Sequence, residues 1–532
     1  PPALDPPPGP PPPASLLFPT FPPQRAPISH AAVTAETLNP FDRSLNPEQC
    51  LAVASILQAE PGTPYIVFGP PGTGKTVTLV EGILQLLHRS PHERLLVLAP
   101  SNTAADIFVE RLTGRLSPSE MLRLNAYSRS EIDVKAAVKP YCHRSDTGYV
   151  MPPLEGIKNK RVVVATCATA ARLHNAVGMD KGHFSSIFVD ECGHALETEA
   201  SAPLIMLASS ITRVVLAGDP MQLGPIVRSA LARDYGLEMS LLERLMTRHL
   251  YHRKPGTASG EGDEVVPGPF DERCITKLLR NYRSHQAILE LPNRMFYDDE
   301  LLKCAPEMVT HNMMGANGWE HLPNRSFPVL FHGVVGEDTR EESSPSWFNV
   351  EEIEEVVNYV SLLINDRPRI KQEEIGIITP YAKQAQKIRL ALMLRTWDEV
   401  MVGSVEAFQG QERRVIIIST VRSSHEWVMS DRRHNLGFLS NPKRFNVAIT
   451  RAKALLIVVG CPFVLRTDMH WGALLDHAVK NKAYVGAPLQ DGDDVEGLSS
   501  SLAEMALGGG GEMALAGGGE EEQEVQPFDM HE

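Results

Sequence analysis

The chain has 532 residues, of which 51 are Lys or Arg and 65 are Asp or Glu, so its formal net charge is −14. Apolar residues make up 43% of the chain and charged residues 22%, which excludes wholesale disorder and allows about three or four domains. No apolar run reaches the ~18 residues that a membrane span needs. No signal-peptide pattern opens the chain, and because it begins at Pro1 rather than Met we expect that upstream sequence is missing.

The cysteines and the composition of the two ends of the chain limit the class of protein further. The seven cysteines include no Cys-x-x-Cys pair, which argues for a reducing compartment and against a zinc module. Thirteen of the first 27 residues are proline, so residues 1–42 are predicted to be a disordered linker or tail. Residues 488–532 mix glycine and acidic runs and are predicted to be a disordered acidic tail. Removing its twelve negative charges leaves −2 on residues 1–490, which can still present a basic surface to nucleic acid.

Short β-branched runs recur through the body of the chain, each followed by a stretch with helical apolar spacing. Near-continuous apolar strands of this kind are typical of parallel sheets with helices on both faces. The alternation occurs twice, which predicts an α/β protein with two tandem domains. The predicted strands are Tyr65–Phe68, Leu95–Leu98, Val162–Ala165, Ile187–Val189, Val214–Ala217, Val329–Phe331, Ile375–Thr379, Val415–Thr420 and Leu455–Val459.

Domain limits follow from the same reading. Residues 251–272 are rich in Gly, Pro and Ser and are predicted to be a flexible loop between the domains. The first domain is then expected at 43–250 and the second at 273–487. Residues 113–160 lack a comparable strand rhythm, so we predict a partly helical insertion in the first domain.

The strongest local signal is a glycine-rich loop between a predicted strand and a predicted helix. It matches the phosphate-binding pattern G-x-x-x-x-G-K-[ST], in which backbone N–H groups converge on phosphate oxygens at a helix N-terminus. Lys75 is predicted to bind the β- and γ-phosphates and the Thr76 hydroxyl to bind Mg²⁺. The loop comprises Gly69, Pro70, Pro71, Gly72, Thr73, Gly74, Lys75 and Thr76.

The strand predicted at Ile187–Val189 ends in two adjacent carboxylates, Asp190 and Glu191. At the carboxyl edge of a parallel sheet, Asp190 can hold Mg²⁺ while Glu191 orients and activates the attacking water. Together with the phosphate loop, this pair predicts a nucleoside triphosphate hydrolase. A GTP-type switch protein is not favoured, since the sequence contains no N-K-x-D element.

Further motifs follow in order along both predicted domains. They are Asn46–Gln49, Ala99–Asn102, Gly218–Leu223, Arg280–His285, Thr379–Tyr381, Gly403–Glu412 and Asn446–Lys453. With these motifs, residues 44–480 resemble superfamily-one helicases of the Upf type. Within that type, KLLRNYRSH and NPKRFNVAITRAKALLIVVG resemble most closely the Armitage/silencing-defective branch, which includes the vertebrate Moloney leukaemia virus ten helicase. The resemblance implies two RecA-like domains that use ATP and Mg²⁺.

The resemblance also assigns roles around the triphosphate. Arg283 and Arg451, both placed by sequence in the second domain, are expected to reach the γ-phosphate across the cleft, which would make hydrolysis depend on closure. Gln222 is expected to sense the γ-phosphate and its water. The nucleoside contacts that the resemblance implies are Gln49 on the adenine edge, Tyr282 stacked on the base and Glu412 on the ribose.

Single-strand motors hold the nucleic-acid backbone with hydroxyls, amides and a few cations, and they stack bases on aromatic or apolar faces. Each candidate for this role is also compatible with a helix cap, a turn or a surface charge. By family position the candidates are Ser101, Asn102, Thr166, Pro380, Tyr381 and Arg422.

The resemblance implies an ATP-dependent RNA helicase or ribonucleoprotein remodeller that moves 5′ to 3′ on single-stranded RNA in RNA silencing or RNA turnover. A DNA helicase of the same superfamily and a non-unwinding RNA clamp or scaffold are the alternatives. We expect the protein to be a monomer in the cytoplasm, including in ribonucleoprotein granules. Small-RNA silencing proteins are its expected partners, and no association with a membrane is expected.

Overall fold

The computed structural model describes residues 14–28, 33, 35–254, 268–342, 344, 346–424 and 441–489. The chain divides into two compact units, Pro1–Thr310 and His311–Glu532. Each unit is built on one large all-parallel sheet with helices packed against it, which confirms the predicted α/β fold class with two tandem domains. Among the described residues, no helix combines the length and the hydropathy that crossing a lipid bilayer requires.

The first unit contains eleven strands and thirteen helices among its described residues. The strands are β1 (Tyr65–Phe68), β2 (Leu95–Ala99), β3 (Met121–Leu124), β4 (Arg144–Ser145), β5 (Gly148–Tyr149), β6 (Val162–Thr166), β7 (Ser186–Val189), β8 (Arg213–Gly218), β9 (Ile275–Lys277), β10 (Arg280–Asn281) and β11 (Leu302–Lys303). The helices are α1 (Ala14–Leu17), α2 (Ala35–Leu38), α3 (Pro47–Leu57), α4 (Lys75–Arg89), α5 (Asn102–Leu112), α6 (Leu154–Lys158), α7 (Cys167–Ala170), α8 (Arg172–Val177), α9 (Glu197–Leu207), α10 (Ala230–Asp234), α11 (Leu241–Met246), α12 (Gln286–Phe296) and α13 (Glu307–Thr310).

Seven of these strands form one parallel sheet in the order β3-β6-β2-β7-β8-β1-β9. Alternate side chains of β2 enter different cores, Leu96 and Leu98 on one face of the sheet and Leu95 and Val97 on the other. Burial on both faces explains why such strands read as uninterrupted apolar runs. Because β8 lies between β7 and β1, the carboxyl ends of these three strands are neighbours, and the loops that follow them meet at one edge.

The division between the units lies after Thr310 rather than in the predicted loop at 251–272. The strand β9 pairs in parallel with β1, and Leu289 and Leu301 belong to the core of the first unit. Residues 273–310 therefore complete the first unit, and the predicted loop at 251–272 does not separate the two units. Positions 255–267 of that loop lie outside the described residues.

The predicted insertion at 113–160 also differs from expectation, because it contributes β3 to the edge of the main sheet. The apolar run that would predict this strand is interrupted at its third residue, Arg123, which is 0% exposed despite its charge. The rest of the segment holds the short β4–β5 ladder, the helix α6 and a single 3₁₀ turn at Lys139–Tyr141.

The second unit contains eight strands and five helices among its described residues. The strands are β12 (Val329–Gly333), β13 (Asp338–Arg340), β14 (Trp347–Asn349), β15 (Ile375–Ile378), β16 (Met401–Gly403), β17 (Arg413–Ser419), β18 (Ala452–Gly460) and β19 (Tyr484–Gly486). The helices are α14 (Val350–Asn365), α15 (Ala382–Met393), α16 (Pro442–Ile449), α17 (Pro462–Leu465) and α18 (Met469–Lys480). The main sheet is parallel in the order β16-β15-β17-β18-β12-β19, and β13 and β14 form a separate antiparallel hairpin. The predicted acidic tail lies outside the described residues from position 490 onward.

Part of the predicted proline-rich tail is packed against the first unit. Residues 14–28 place Leu16 in the core at 1% exposure, which the prediction of a disordered segment at 1–42 did not anticipate. Prolines remove backbone donors but keep carbonyl acceptors. Three arginines of the folded body donate to carbonyl oxygens of this segment, two of them to prolines: Arg244 to Leu17 O, Arg248 to Pro19 O and Arg273 to Pro23 O, at 3.0–3.2 Å.

Replacing Leu16 by Ala tests whether this docked segment stabilises the fold. Because the side chain is fully buried, we expect Leu16→Ala to lower the free energy of unfolding by about 2–4 kcal/mol. Chemical denaturation monitored by circular dichroism measures the change. The matched control is Phe21→Ala in the same segment, where the ring is 72% exposed and the expected change is below about 0.5 kcal/mol. Equal, small effects of both variants would contradict the docking.

Candidate functional site

The phosphate loop joins β1 to α4 at the sheet edge where β7 and β8 also end. Gly74 caps α4 with a left-handed φ of +80°, a conformation that glycine adopts without steric cost. A Cβ atom on Gly69 would lie 2.8 Å from the Cβ of Lys75, so only glycine allows the loop to fold back onto its own lysine. Thr73 Oγ1 donates to Pro70 O at 2.8 Å and closes the turn.

Four predicted catalytic and metal-binding side chains come together beside this loop. Lys75 Nζ lies 2.9 Å from Glu191 Oε1 and 3.5 Å from Asp190 Oδ1. Thr76 Oγ1 donates to Asp190 Oδ2 at 3.0 Å. The residues come from the start of α4 and from the end of β7, which the sheet order makes near neighbours.

Burial and the neighbouring charges of opposite sign act in opposite directions on the pKa values of Lys75 and Asp190. Burial by itself lowers the pKa of Lys75, but the charges of Glu191 and Asp190 outweigh it and raise that pKa above its usual value. Burial raises the pKa of Asp190, and Lys75 opposes that rise. One ammonium group thus pairs with two carboxylates, and for the buried Asp190 a charge without a partner would be costly.

The backbone at Glu191 adopts a left-handed φ of +51°, which is uncommon for a residue other than glycine. The turn lets the Glu191 N–H donate to Asp190 Oδ1 at 2.8 Å, while its side chain reaches Lys75. Backbone strain of this kind is found preferentially at functional sites.

Asp219 follows β8 and connects the site to a residue that the sequence analysis did not select. Its Oδ2 accepts hydrogen bonds from Gln222 Nε2 at 2.7 Å and from the Tyr297 hydroxyl at 2.8 Å. Burial raises the pKa of Asp219, whereas these two hydrogen bonds lower it. Tyr297 is 0% exposed and lies just beyond α12, so a residue outside every motif holds the partner of the predicted γ-phosphate sensor.

The segment Arg280–Ser284 lies in the first unit, against the phosphate loop, and not in the second domain as its sequence position suggested. Asn281 Nδ2 donates to Pro71 O at 2.7 Å, and Tyr282 N donates to Gly72 O at 2.8 Å. A Cβ atom on Gly72, where φ is +68°, would lie 2.6 Å from the Cβ of Arg283. Arg283 therefore belongs to the same unit as Lys75, because the chain after β9 turns back over the loop.

The residues predicted to bind the nucleoside lie at the beginning of α3 and beside it. Asn46 and Gln49 form a reciprocal capping box, and Gln49 Nε2 also donates to Thr73 O at 3.1 Å. Asn46 Nδ2 donates to the Tyr282 hydroxyl at 2.9 Å, and Tyr282 is 40% exposed. The hydrogen bond from Gln49 to Thr73 O ties this helix start to the phosphate loop, and contact of Gln49 and Tyr282 with adenine stays a prediction.

Two predicted ATP-site residues belong to the second unit. Arg451 follows α16 and is 2% exposed, with Nε donating to Val447 O at 3.1 Å and Nη1 to Gln411 O at 3.3 Å. Glu412 lies 2.7 Å from Lys453 Nζ. Their contacts with a nucleotide stay predictions.

Three predicted RNA contacts of the first unit follow adjacent strands. Ser101 caps α5 and accepts from Ala104 N, and Thr166 caps α7 and accepts from Thr169 N. Asn102 is exposed, and its Oδ1 accepts from Arg123 Nη2 at 2.9 Å. Because β2 and β6 are neighbours in the sheet, these caps lie at the same edge as the phosphate loop.

The three predicted RNA contacts of the second unit, Pro380, Tyr381 and Arg422, also lie at one sheet edge. Arg422 is 2% exposed, with Nη1 2.8 Å from Asp338 Oδ2 and Nε donating to the Tyr381 hydroxyl at 2.9 Å. Its guanidinium also packs on Trp347, 4.3 Å from the ring centroid. Arg422 is thus enclosed in an ion pair between aromatic rings rather than held out as a surface charge.

A buried carboxylate fixes the backbone that leads to Arg422. Both oxygens of Glu352 accept from Val421 N at 2.9 Å, and one also accepts from the Ser419 hydroxyl at 2.6 Å. Val421 has a left-handed φ of +74°, so this β-branched residue needs the bonds that hold it. Burial raises the pKa of Glu352 to about 7.

The donor set of the first unit fits a magnesium nucleotide. Thr76 Oγ1 and Asp190 Oδ2 are 3.0 Å apart, and both are the hard oxygen ligands that Mg²⁺ prefers. Gly74, which precedes α4, has no side chain of its own over the helix start, which suits an anion. Thr76 and Asp190 would hold the metal, and the glycine loop at the start of α4 would hold the phosphates.

Comparisons with known proteins agree with this arrangement. Two family models, each described as an AAA domain, match residues 44–151 with 153–230 and residues 237–462. The helicase mov-10-B.1 of Danio rerio is 44% identical over 92% of this chain and 48% of its own length. The human RNA helicase Mov10l1 is 47% identical over 84% of this chain and 36% of its own length. A Drosophila melanogaster protein named "Probable RNA helicase armi" is 38% identical over 84% of this chain and 39% of its own length.

The chain thus spans half or less of the length of these curated relatives. Within that span, the matched segments run without a long gap from the start of α3 to the region after β18 and contain every motif of both units. The chain belongs to the helicase family that contains MOV-10, Mov10l1 and Armitage.

Proposed function

We propose that this chain is the ATP-hydrolysing motor of an RNA helicase or ribonucleoprotein remodeller that moves 5′ to 3′ on single-stranded RNA. The observation that carries the proposal is the convergence of Lys75, Thr76, Asp190 and Glu191 at the carboxyl ends of β1 and β7, the strands on either side of β8. The names of the relatives Mov10l1 and armi support RNA as the nucleic acid. A role in RNA silencing or RNA turnover is part of the same proposal.

The contacts of Lys75 suggest how the site responds to ATP. In the structure, the Lys75 ammonium group is shared between Glu191 and Asp190. A bound triphosphate offers a stronger concentration of negative charge, so Lys75 would turn to the β- and γ-phosphates. Glu191 would then lose its ion-pair partner and be able to orient and deprotonate the attacking water. Mg²⁺ held by Thr76 and Asp190 would neutralise phosphate charge.

Two arginines are proposed to stabilise the charge that develops on the γ-phosphate. The packing of Arg283 against Gly72 supports its part in this role. For Arg451, support comes from its position in the N-V-A-I-T-R segment at the end of α16. Arginine fingers contribute about 10³–10⁵-fold to the rate of phosphoryl transfer, so loss of either guanidinium is expected to reduce turnover strongly.

Substitutions of Glu191 and Lys75 separate ATP binding from ATP hydrolysis. Because Glu191→Gln keeps the shape of the side chain but removes the base, it should reduce ATP turnover about 10²–10⁴-fold and leave nucleotide binding largely intact. Lys75→Ala should reduce both. Turnover is measured by phosphate release with matched single-stranded RNA and DNA, and binding with a fluorescent ATP analogue.

The matched control is Glu199→Gln, which changes an exposed carboxylate of the same unit and should leave turnover unchanged. Wild-type turnover in both Glu191→Gln and Lys75→Ala would remove the assigned roles. Stronger stimulation of the wild-type protein by DNA than by RNA would make it a DNA helicase instead.

Another prediction concerns Tyr297, whose hydroxyl donates to Asp219. Removing that donor with Tyr297→Phe takes away an interaction that lowers the pKa of Asp219, so this pKa should rise. We propose that ionised Asp219 orients Gln222 for catalysis, so the acid limb of the pH profile of ATP turnover should move to higher pH in Tyr297→Phe. Tyr235→Phe, at a position that is 86% exposed, is the control. An unshifted acid limb in Tyr297→Phe would show that the hydroxyl does not act through Asp219.

A further inference from the structure

Arg123 is a fully buried arginine on the edge strand β3, with 0% exposure. Its Nε donates to Asp106 Oδ1 at 2.8 Å, its Nη1 donates to Leu124 O, and its Nη2 donates to Asn102 Oδ1 at 2.9 Å. A guanidinium has a rigid fork of donors, so one side chain can hold several acceptors in a fixed arrangement. Here one of the three acceptors is an exposed side chain at the start of α5.

The spacing along α5 explains how one arginine reaches both side chains. Asn102 and Asp106 are four residues apart, so they lie on the same face of the helix. Asp106 is 4% exposed and also binds Arg129, whose Nη2 lies 2.5 Å from Asp106 Oδ2. Arg129 Nη1 donates in turn to Asn125 Oδ1 at 2.6 Å. The segment around β3 is therefore clamped to α5 by buried charges.

The clamp determines which end of the Asn102 amide faces outward. Its oxygen accepts from the buried guanidinium, so the amide nitrogen, with its two N–H donors, is the end left for solvent. A phosphate or ribose oxygen of nucleic acid accepts hydrogen bonds and suits such a donor. With the opposite orientation of the amide, an N–H group would meet the N–H groups of Arg123.

We propose that Arg123 is a positioning residue for RNA binding: it orients Asn102 so that the amide N–H donates to a backbone oxygen of single-stranded RNA. The inference rests on the proposed function, since it assumes that Asn102 contacts RNA. On this proposal the segment around β3 supports nucleic-acid binding through Asn102, and Arg123 itself does not touch the RNA.

The test is a double-mutant cycle with Asn102→Ala and Arg123→Met, measured as the affinity for a fluorescein-labelled single-stranded RNA by anisotropy. Each single variant should weaken binding about tenfold, which corresponds to the loss of roughly one hydrogen bond to a charged group. The double variant should bind no more weakly than the weaker single variant, because Arg123 acts through Asn102. The matched control is Arg144→Ala, which removes an exposed cation of the same segment and should leave affinity unchanged.

The outcomes separate the inference from the function on which it rests. Wild-type affinity of Asn102→Ala would remove the RNA contact itself. Three results would overturn the positioning role. The first is weaker RNA binding by Asn102→Ala but not by Arg123→Met. The others are additive losses of affinity in the double variant and an equal loss of affinity in Arg144→Ala.

A further variant keeps the test decisive if Arg123→Met fails to fold. Asn102→Asp retains an acceptor for Arg123 but offers RNA only oxygen atoms. It should fold with an unchanged melting temperature and bind RNA at least tenfold more weakly than the wild type. Wild-type affinity of Asn102→Asp would overturn the proposed orientation of the amide.

Discussion

A single ammonium group opposite two carboxylates is the interaction on which the first unit's chemistry depends. Lys75 can hold Asp190 and Glu191 only because β8 lies between β1 and β7, so the parallel sheet order brings two distant segments to one corner. The same order places Asp219 at that corner. Because Lys75 and Asp190 are buried, each of these two charges needs a partner.

The parts of the fold that were predictable from sequence are those that depend on local pattern. Continuous apolar runs identified the central strands such as β2 and β17, because burial on both faces leaves no polar residue to interrupt them. The phosphate loop was identifiable since its glycines, lysine and threonine have to occur at fixed spacing within eight residues. The strand β3 was missed, because Arg123 interrupts its pattern and is compensated by Asp106 on another element.

The parts of the site that were not predictable depend on partners distant in sequence. Tyr297 has no motif of its own, and only the fold brings its hydroxyl to Asp219. Arg283 was assigned to the wrong unit, since a short strand, β9, and not the long loop before it, determines where the chain leaves the first sheet. Arg422 was predicted to contact RNA, with a surface charge as an alternative, and its burial was not foreseeable because its partner Asp338 lies far away along the chain. For Arg451 and Glu412 the nucleotide contacts remain predictions.

The docked proline-rich segment has a practical consequence for how this protein is shortened. Composition alone would suggest trimming everything before α3 as dispensable. Such a truncation would remove the carbonyl acceptors of Arg244, Arg248 and Arg273 and uncover the apolar surface beneath Leu16. Poor recovery or aggregation of that fragment would then reflect exposed guanidinium and hydrocarbon groups, and an inactive preparation would say nothing about the enzyme's chemistry.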